Sequence, residues 1–393
     1  MARRYMLLLY VGVLVCPWLS ACQPGIFGGE TAAVAPVLYP TVTPPQSRDS
    51  LVLPTARTSF APGTTRSPTT PLVPTPTSFG GRLVFASRRD TNADGSIDFR
   101  DKAHLYVLDL ETGIVTQLTF GDHSDRDPCW SPDGEDITFI SDAAGNYDLF
   151  IVRADGSGLK QLTYTSGDEG EPAWSPEGTQ IAYVLETRGD DHVLESSHLY
   201  LISVDGSNIQ QLTDGPILDS SPDWSSDGRW LVFERMNPDW TERSIWLMKM
   251  PEGTAAPLDF PADSPAGVLV NYVCPKWLPQ EGYLLSVIRC ETALDATDCK
   301  IVVFEVEERE GRFSLRATPA SIETSFFDYT WGPNGEWLIG AVQLPGRRYG
   351  AYDLCRVRVS LREPSVGCLW FGALEEKFLT DDDFYDDDPD WSP

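Results

Sequence analysis

Six tryptophans, Trp130, Trp174, Trp224, Trp277, Trp331 and Trp391, stand 44, 50, 53, 54 and 60 residues apart, and the words around them repeat. "DPCWSPDG" at 127–134 returns as "EPAWSPEG" at 171–178 and "SPDWSSDG" at 221–228, then more loosely as "CPKWLPQEG" at 274–282 and "YTWGPNG" at 329–335. A period of this size marks an architecture in which each unit buries its apolar faces only against its neighbours. After each turn phrase comes a short run rich in Val, Ile, Phe and Tyr: "ITFIS" at 137–141, "IAYVL" at 181–185, "LVFER" at 231–235, "LLSVI" at 284–288 and "LIGAV" at 338–342. Bounded by Gly, Pro and Asp, such runs predict strands. A third strand follows, as in "DLFIVRADG" at 148–156 and "HLYLISVDG" at 198–206, and a fourth ends in "QLT" at 161–163 and 211–213.

Four strands per unit is the blade of a β-propeller. The stretch 81–120 has candidates for strands two, three and four ("LVFAS", "HLYVLDL", "TQLT") but no tryptophan strand before them, whereas "DPDWSP" at 388–393 is a tryptophan strand with no unit of its own. Joining the two gives an all-β, six-bladed propeller over 81–393 with four-stranded antiparallel blades, its ring closed by the strand around Trp391. Closure leaves only short, protected sheet edges. One large aromatic per blade is expected to pack between blades, because such a side chain buries 150–250 Å². Trp240, inside a variable connection, is the exception and is expected at the surface.

The order P-x-W-S-P-D-G, β run, L-Y-x-x-x-x-D-G, Q-L-T resembles the WD40-like repeat of the TolB propeller family, closely at 127–228 and more loosely at 274–371. The resemblance implies an extracytoplasmic propeller that works by binding. Where the family's namesake has an α/β domain, residues 23–80 here carry eleven prolines and eleven threonines. That composition predicts a disordered tether of roughly 40–50 Å as a coil. Ahead of it, Arg3-Arg4, an apolar run and Leu19-Ser20-Ala21-Cys22 predict a lipoprotein signal peptide over 1–21, with Cys22 lipidated as the membrane anchor. The protein is therefore expected to be exported and lipid-anchored to a bacterial membrane.

A net charge of −28 argues against nucleic acid, which needs a basic face to displace counterions. Alternation of strand direction puts the short "SPDG" and "DG" turns on one face and the variable connections 88–103, 186–197, 235–244, 289–299 and 343–351 on the other. Loops on a rigid scaffold are where binding usually sits. On that variable face the approach to each tryptophan is acidic. Asp122 and Asp125, Asp168 and Glu169, Asp219, Asp381 to Asp383, Asp386 and Asp387 are expected to rim the central channel together with Asp127, Glu171, Asp223, Asp328, Asp388 and Asp390, which form the candidate binding face. Converging like charges focus a negative potential suited to a cationic segment of an envelope or extracellular protein.

Catalytic signatures are missing: there is no G-x-S-x-G elbow, His104, His123, His192 and His198 are the only histidines, and no carboxylate pair stands out from the acidic background. The expectation is a non-enzymatic binding protein. A polysaccharide-binding or polysaccharide-cleaving propeller using the same face is the alternative. Cysteine use fits export, with disulfides expected for Cys290 with Cys299 and for Cys355 with Cys368. Cys129 and Cys274 fall on opposite inner strands, too far apart to bridge. "DTNADGSIDFRD" at 90–101 has the ligand order of an EF-hand loop. Asp90, Asn92, Asp94, Ser96, Asp98 and Asp101 would supply the hard oxygens that a structural Ca²⁺ requires, around the turn at Gly95.

Overall fold

β-branched and aromatic runs punctuated by Gly, Pro and Asp give strands, and only strands, among the described residues of the computed structural model. Those residues are 81–88, 101–189, 193–239, 243–260, 269–279, 283–293, 296–309, 312–323, 328–342, 353–359, 377–378 and 385–392. They lie in one unit, Pro76–Pro393. In chain order the strands are β1 (Arg82–Arg88), β2 (Ala103–Asp109) and β3 (Val115–Gln117); β4 (Asp125–Trp130), β5 (Asp136–Ser141), β6 (Asp148–Arg153) and β7 (Lys160–Gln161); and β8 (Asp168–Trp174), β9 (Gln180–Arg188), β10 (Leu194–Ser203) and β11 (Gln210–Gln211). There follow β12 (Leu218–Trp224), β13 (Trp230–Met236), β14 (Arg243–Lys249) and β15 (Thr254–Pro257); β16 (Leu269–Trp277), β17 (Leu284–Ala293), β18 (Ala296–Arg309) and β19 (Arg312–Glu323); β20 (Tyr329–Trp331), β21 (Trp337–Val342), β22 (Asp353–Arg358) and β23 (Lys377–Phe378); and β24 (Tyr385–Trp391). Each group is an antiparallel meander, and one parallel bridge, Ser197 to Leu218, links the β8 and β12 groups into a single eight-stranded sheet.

β24 lies antiparallel on β1, with Leu83 opposite Trp391 and Ser87 opposite Asp386, so the sheet order is β24-β1-β2-β3. The Arg82 N–H donates to Ser392 Oγ at 2.9 Å and the Ser392 N–H to Arg82 O at 2.8 Å. Trp391 is buried with Leu83, Phe85, Tyr106 and Leu108 on one side and Ile339, Ala341 and Leu354 on the other. Three other repeat tryptophans pack likewise against the preceding blade: Trp130 with Val84, Ala86 and Leu105, Trp224 with Ala182, Val184 and Leu199, and Trp277 with Val232 and Leu247.

The repeated words have local physical causes. In "SPDG" the Ser131 hydroxyl donates to Asp133 Oδ1 at 2.6 Å and accepts the Asp136 N–H at 2.9 Å, while Gly134 takes φ 69°, a left-handed conformation that glycine adopts without steric cost. In "QLT" the threonine hydroxyl accepts a leucine N–H of the neighbouring third strand: Thr119 from Leu105, Thr163 from Leu149 and Thr213 from Leu199, at 2.8–2.9 Å. This satisfies buried donors that two- and three-residue fourth strands are too short to reach.

Two variable connections differ from their expected form. In the stretch 289–299, β17 and β18 stay paired out to Ala293 and Ala296, so the connection is a long hairpin. Cys290 and Cys299 face each other across it in a disulfide with Cα atoms 4.1 Å apart. In 186–197, β9 and β10 likewise extend past the expected loop ends, to Arg188 and from Leu194. Alternating side chains continue to find cross-strand partners there, and turn residues alone do not end a strand. Cys355 is buried on β22, while Cys368 and Trp240 lie outside the described residues.

Candidate functional site

The tryptophan strands β4, β8, β12, β16 and β24 share an irregularity that arranges the site. In each, proline occupies the position two before Trp, where a regular ladder would need an N–H it lacks, and the register shifts there as a β-bulge. The residue before that proline takes a positive φ: 48° at Asp127, 52° at Glu171, 53° at Ser221, 50° at Cys274 and 49° at Asp388. A side chain in this left-handed region costs about 1–2 kcal/mol relative to glycine, so it persists only where its surroundings hold it.

Those surroundings are carboxylates of the adjacent strand. Asp388 Oδ2 accepts the Asp127 N–H at 3.4 Å, Asp127 Oδ2 accepts the Glu171 N–H at 3.0 Å, and Glu171 Oε2 accepts the Ser221 N–H at 2.5 Å. Ser221 is too short to continue the series. Glu234 of β13 takes over, its Oε2 accepting the Cys274 N–H at 3.4 Å while its Oε1 is held by Arg243 Nη1 at 2.9 Å. A second layer lies one residue before each Trp. Asp390 Oδ2 accepts the Trp130 N–H at 2.6 Å and its Oδ1 accepts the Thr330 hydroxyl at 3.2 Å, and Asp223 Oδ2 accepts the Trp277 N–H at 2.6 Å. The Tyr329 hydroxyl donates to Cys274 O at 3.0 Å, tying β20 to β16.

All six candidate binding-face acids are thus half-buried, five on the tryptophan strands and Asp328 just before β20; the five accept backbone N–H bonds from the neighbouring strand, Asp390 and Asp223 in the second layer, and Asp328 accepts that of Tyr329 beside it in sequence. Burial raises Glu171 and Asp328 to about 7 and Asp223 to about 6; the Asp388 charge adds to the effect at Asp328. Burial, then the charges of Asp388 and Glu171, raise Asp127 well above the usual carboxylate range. Lys276, the residue before Trp277, stands among them. Burial alone would lower it, but Asp223, Asp328, Cys129 and Asp390 together raise it, so it remains an ammonium. Reading the sequence for acids missed this lysine; its place one residue before a repeat tryptophan was the available signal.

The acids five residues before Trp are not on this surface. Asp125, Glu169 and Asp219 are 0%, 1% and 0% exposed and turn away between sheets. Side chains alternate along a strand, but the bulge inserts a residue and shifts the phase, so they fall on the packed side. Asp125 lies 3.4 Å from His104 Nδ1 and 3.5 Å from His123 Nε2, and Asp219 receives two bonds from Arg235 at 2.7 and 2.9 Å. Asp122 and Asp168 lie where β4 and β8 begin, and Asp381 to Asp383 lie outside the described residues. Asp90, Asn92, Asp94, Ser96 and Asp98 of the calcium motif and Cys22 also lie outside them, while Asp101 is buried just before β2.

Residues 80–197 match the TolB beta propeller domain model, PD40. Over 80% of this chain the fold superposes on 67% of TolB from Acinetobacter baumannii, with a TM-score of 0.56 and 15% identity. Over 79% it superposes on 46% of a chain of Kuenenia stuttgartiensis hydrazine synthase, with a TM-score of 0.53 and 13% identity. An uncharacterized protein of Agrobacterium fabrum is 38% identical over 56 residues, 14% of this chain and 19% of that protein. The chain thus spans about a fifth of the length of that curated relative. The fold is a TolB-like β-propeller.

Proposed function

We propose that this chain is a six-bladed propeller, closed into a ring by β24, that binds a protein partner through the acidic mouth of its axial channel and performs no catalysis. The succession of contacts among the tryptophan strands supports the ring: β24 touches β4, β4 touches β8, β8 touches β12, β12 touches β16, Tyr329 joins β20 to β16, and β20 touches β24. The single observation that carries the binding reading is the convergence of Asp127, Glu171, Asp328 and Asp388 on the variable-loop side of Lys276. Lys276 is shared among Asp223, Asp328, Asp390 and Glu171, and Asp388 feels Arg126 and Arg88, so the acids outnumber their cations and an incoming positive charge would favour ionisation of carboxyls that burial otherwise holds protonated. A partner presenting lysine or arginine on an extended segment matches that field.

Capture of partners from an envelope extract by the tagged protein, with and without Asp127→Asn, Glu171→Gln and Asp388→Asn in combination, tests this. Each amide keeps a side-chain acceptor for the neighbouring N–H while removing the charge. The expected result is loss of the captured partner and weaker capture in high salt; capture indifferent to both sinks the reading. Specific binding or cleavage of glycans would transfer the face to the polysaccharide alternative.

In the same reading the protein is exported, cut before Cys22 and anchored there by lipid, with residues 22–80 as tether. The loop 90–101 would bind one Ca²⁺ through Asp90, Asn92, Asp94, Ser96, Asp98 and Asp101 and order the connection between β1 and β2. The spacing of hard oxygens supports it. Calorimetry should find one saturable calcium site that disappears when Asp90→Ala and Asp94→Ala are combined; absence of calcium heat together with a chelator-insensitive melting temperature would falsify it.

A further inference from the structure

At the junction between the β4–β7 and β8–β11 blades, two acids are buried against each other. Asp148 opens β6 and is 2% exposed; Glu169, second in β8, is 1% exposed. The Glu169 N–H donates to Tyr147 O at 2.7 Å, which sets Glu169 beside the residue that precedes Asp148, and the two carboxyls act on each other. Glu169 Oε2 accepts the Thr163 hydroxyl at 2.8 Å and Oε1 the Thr165 hydroxyl at 2.6 Å, while Asp148 Oδ2 accepts Gln161 Nε2 at 2.8 Å and Asp148 Oδ1 has no partner in the protein. The nearby cation is already committed: Arg188 lies 3.5 Å from Asp168 and is paired with Glu186. Asp168 itself accepts the Tyr147 N–H at 3.2 Å. Arg126 stacks over the Tyr147 ring, and on the same face of β9 and β10 stand the Tyr183 and Tyr200 phenols, with His198 opposite Leu185.

The repeat supplies an internal comparison. The residue before the third-strand "L-Y" or "L-F" is His104, then Asp148, then His198, and the acid five before the next Trp is Asp125, then Glu169, then Asp219. The preceding junction sets an imidazole against its acid, and the following one gives its acid to Arg235. Among these junctions, acid meets acid only at Asp148 and Glu169. Asp148 and Glu169 occupy the repeat positions that His104 and Asp125 hold 3.4 Å apart, and two buried carboxyls so placed without a cation cannot both ionise cheaply, so a proton stays on one, within reach of the partnerless Asp148 Oδ1.

We propose that Asp148 and Glu169 form a proton-holding clamp between two blades. One shared proton closes the junction, and its loss on the alkaline side loosens the connections 142–147 and 163–167 beside Glu171, making this part of the variable-loop face pH-responsive. Burial, with the Asp148 charge adding to it, raises Glu169 from 4.5 to about 7 against the pull of Thr165 and Thr163, and burial raises Asp148 as well. A folded state that keeps a proton the unfolded chain has released loses stability as pH rises from about 4.5 to about 7. The inference does not depend on the identity of a partner.

Hydrogen exchange on the full chain between about pH 5 and about pH 8, corrected for intrinsic exchange, reads the clamp locally. Protection of Tyr147, Leu149 and Glu169 amides should fall roughly ten-fold or more across that range in the wild type, from the size of the carboxyl displacement. Asp148→Asn and Glu169→Gln each replace the shared proton by a permanent amide donor and should flatten the local response while leaving β12–β15 unchanged. The infrared band of a protonated carboxyl at neutral pH should weaken in both. Wild-type protection at these amides that is flat with pH overturns the proposal even if neither variant folds, and so does an undiminished response in either variant.

Discussion

The carboxyls of the tryptophan strands do two things at once: they satisfy strained backbone and they gather titratable groups whose ionisation burial opposes. Glu171, Asp328 and Asp223 all sit above their unfolded values because burial penalises the ionised form. The sign is therefore the same for all three. Their contribution to stability is complete below about 4 and is lost as pH rises through about 6 to about 7. Unfolding free energy should be lower at about pH 8 than at about pH 5, by about 1–4 kcal/mol. Denaturant titrations at the two pH values check this, and Asp328→Asn should shrink the difference. Lys276 keeps its charge throughout this range and contributes nothing to the slope.

At the scale of the element, the union of β24 with β1 depends on two glycines. A Cβ on Gly332 would lie 2.9 Å from Trp391 Cζ3, and one on Gly81 would lie 2.6 Å from Trp391 Nε1, where φ is also +127°. The indole is wedged between these backbones. Gly332→Ala should push Trp391 off its seat at about 1–3 kcal/mol, the usual range for overpacking. Intrinsic tryptophan fluorescence and a lowered melting temperature would report it; an unchanged melting temperature would mean that β24 gives way without cost. Much at this scale was legible in sequence: a tryptophan with a Pro two before it and a Gly four after it locates strand one, the turn and strand two together. The hairpin closed by Cys290 and Cys299 was legible too, but not how far its ladder runs, because polar residues such as Glu291 and Thr297 break the apolar run although the backbone pairing continues past them.

Across the whole molecule, what the sequence hid is what neighbouring blades do to each other. Asp127, Glu171 and Asp388 could be placed on inner strands from their spacing to Trp, but their acceptor roles join residues 44 to 261 apart, which no local pattern encodes. Asp148 and Glu169 escaped for a related reason. Each is one acid among 58 acidic residues until the fold sets third strand against following first strand. If the inner strands form one closed cycle, removing any link should be felt everywhere. Deleting residues 386–393 is expected to lower the melting temperature by roughly 5 °C or more and to raise exchange in β12–β15 as well as β1–β3. Loss of protection confined to β1–β3 would mean that the blades melt independently.

The pairing of Arg82 with Ser392 spans 310 positions. A ribosome adding about 5–20 residues per second needs about 15–60 s to bring the second of these out after the first. Through that interval β1 presents a bare edge of Leu83, Val84, Phe85 and Ala86, a strand ready to pair with any other chain. β24 therefore acts as a timer: the open edge of β1 is sealed only once synthesis has passed Trp391, and until then the first blade is the part of the fold most exposed to pairing with a stranger.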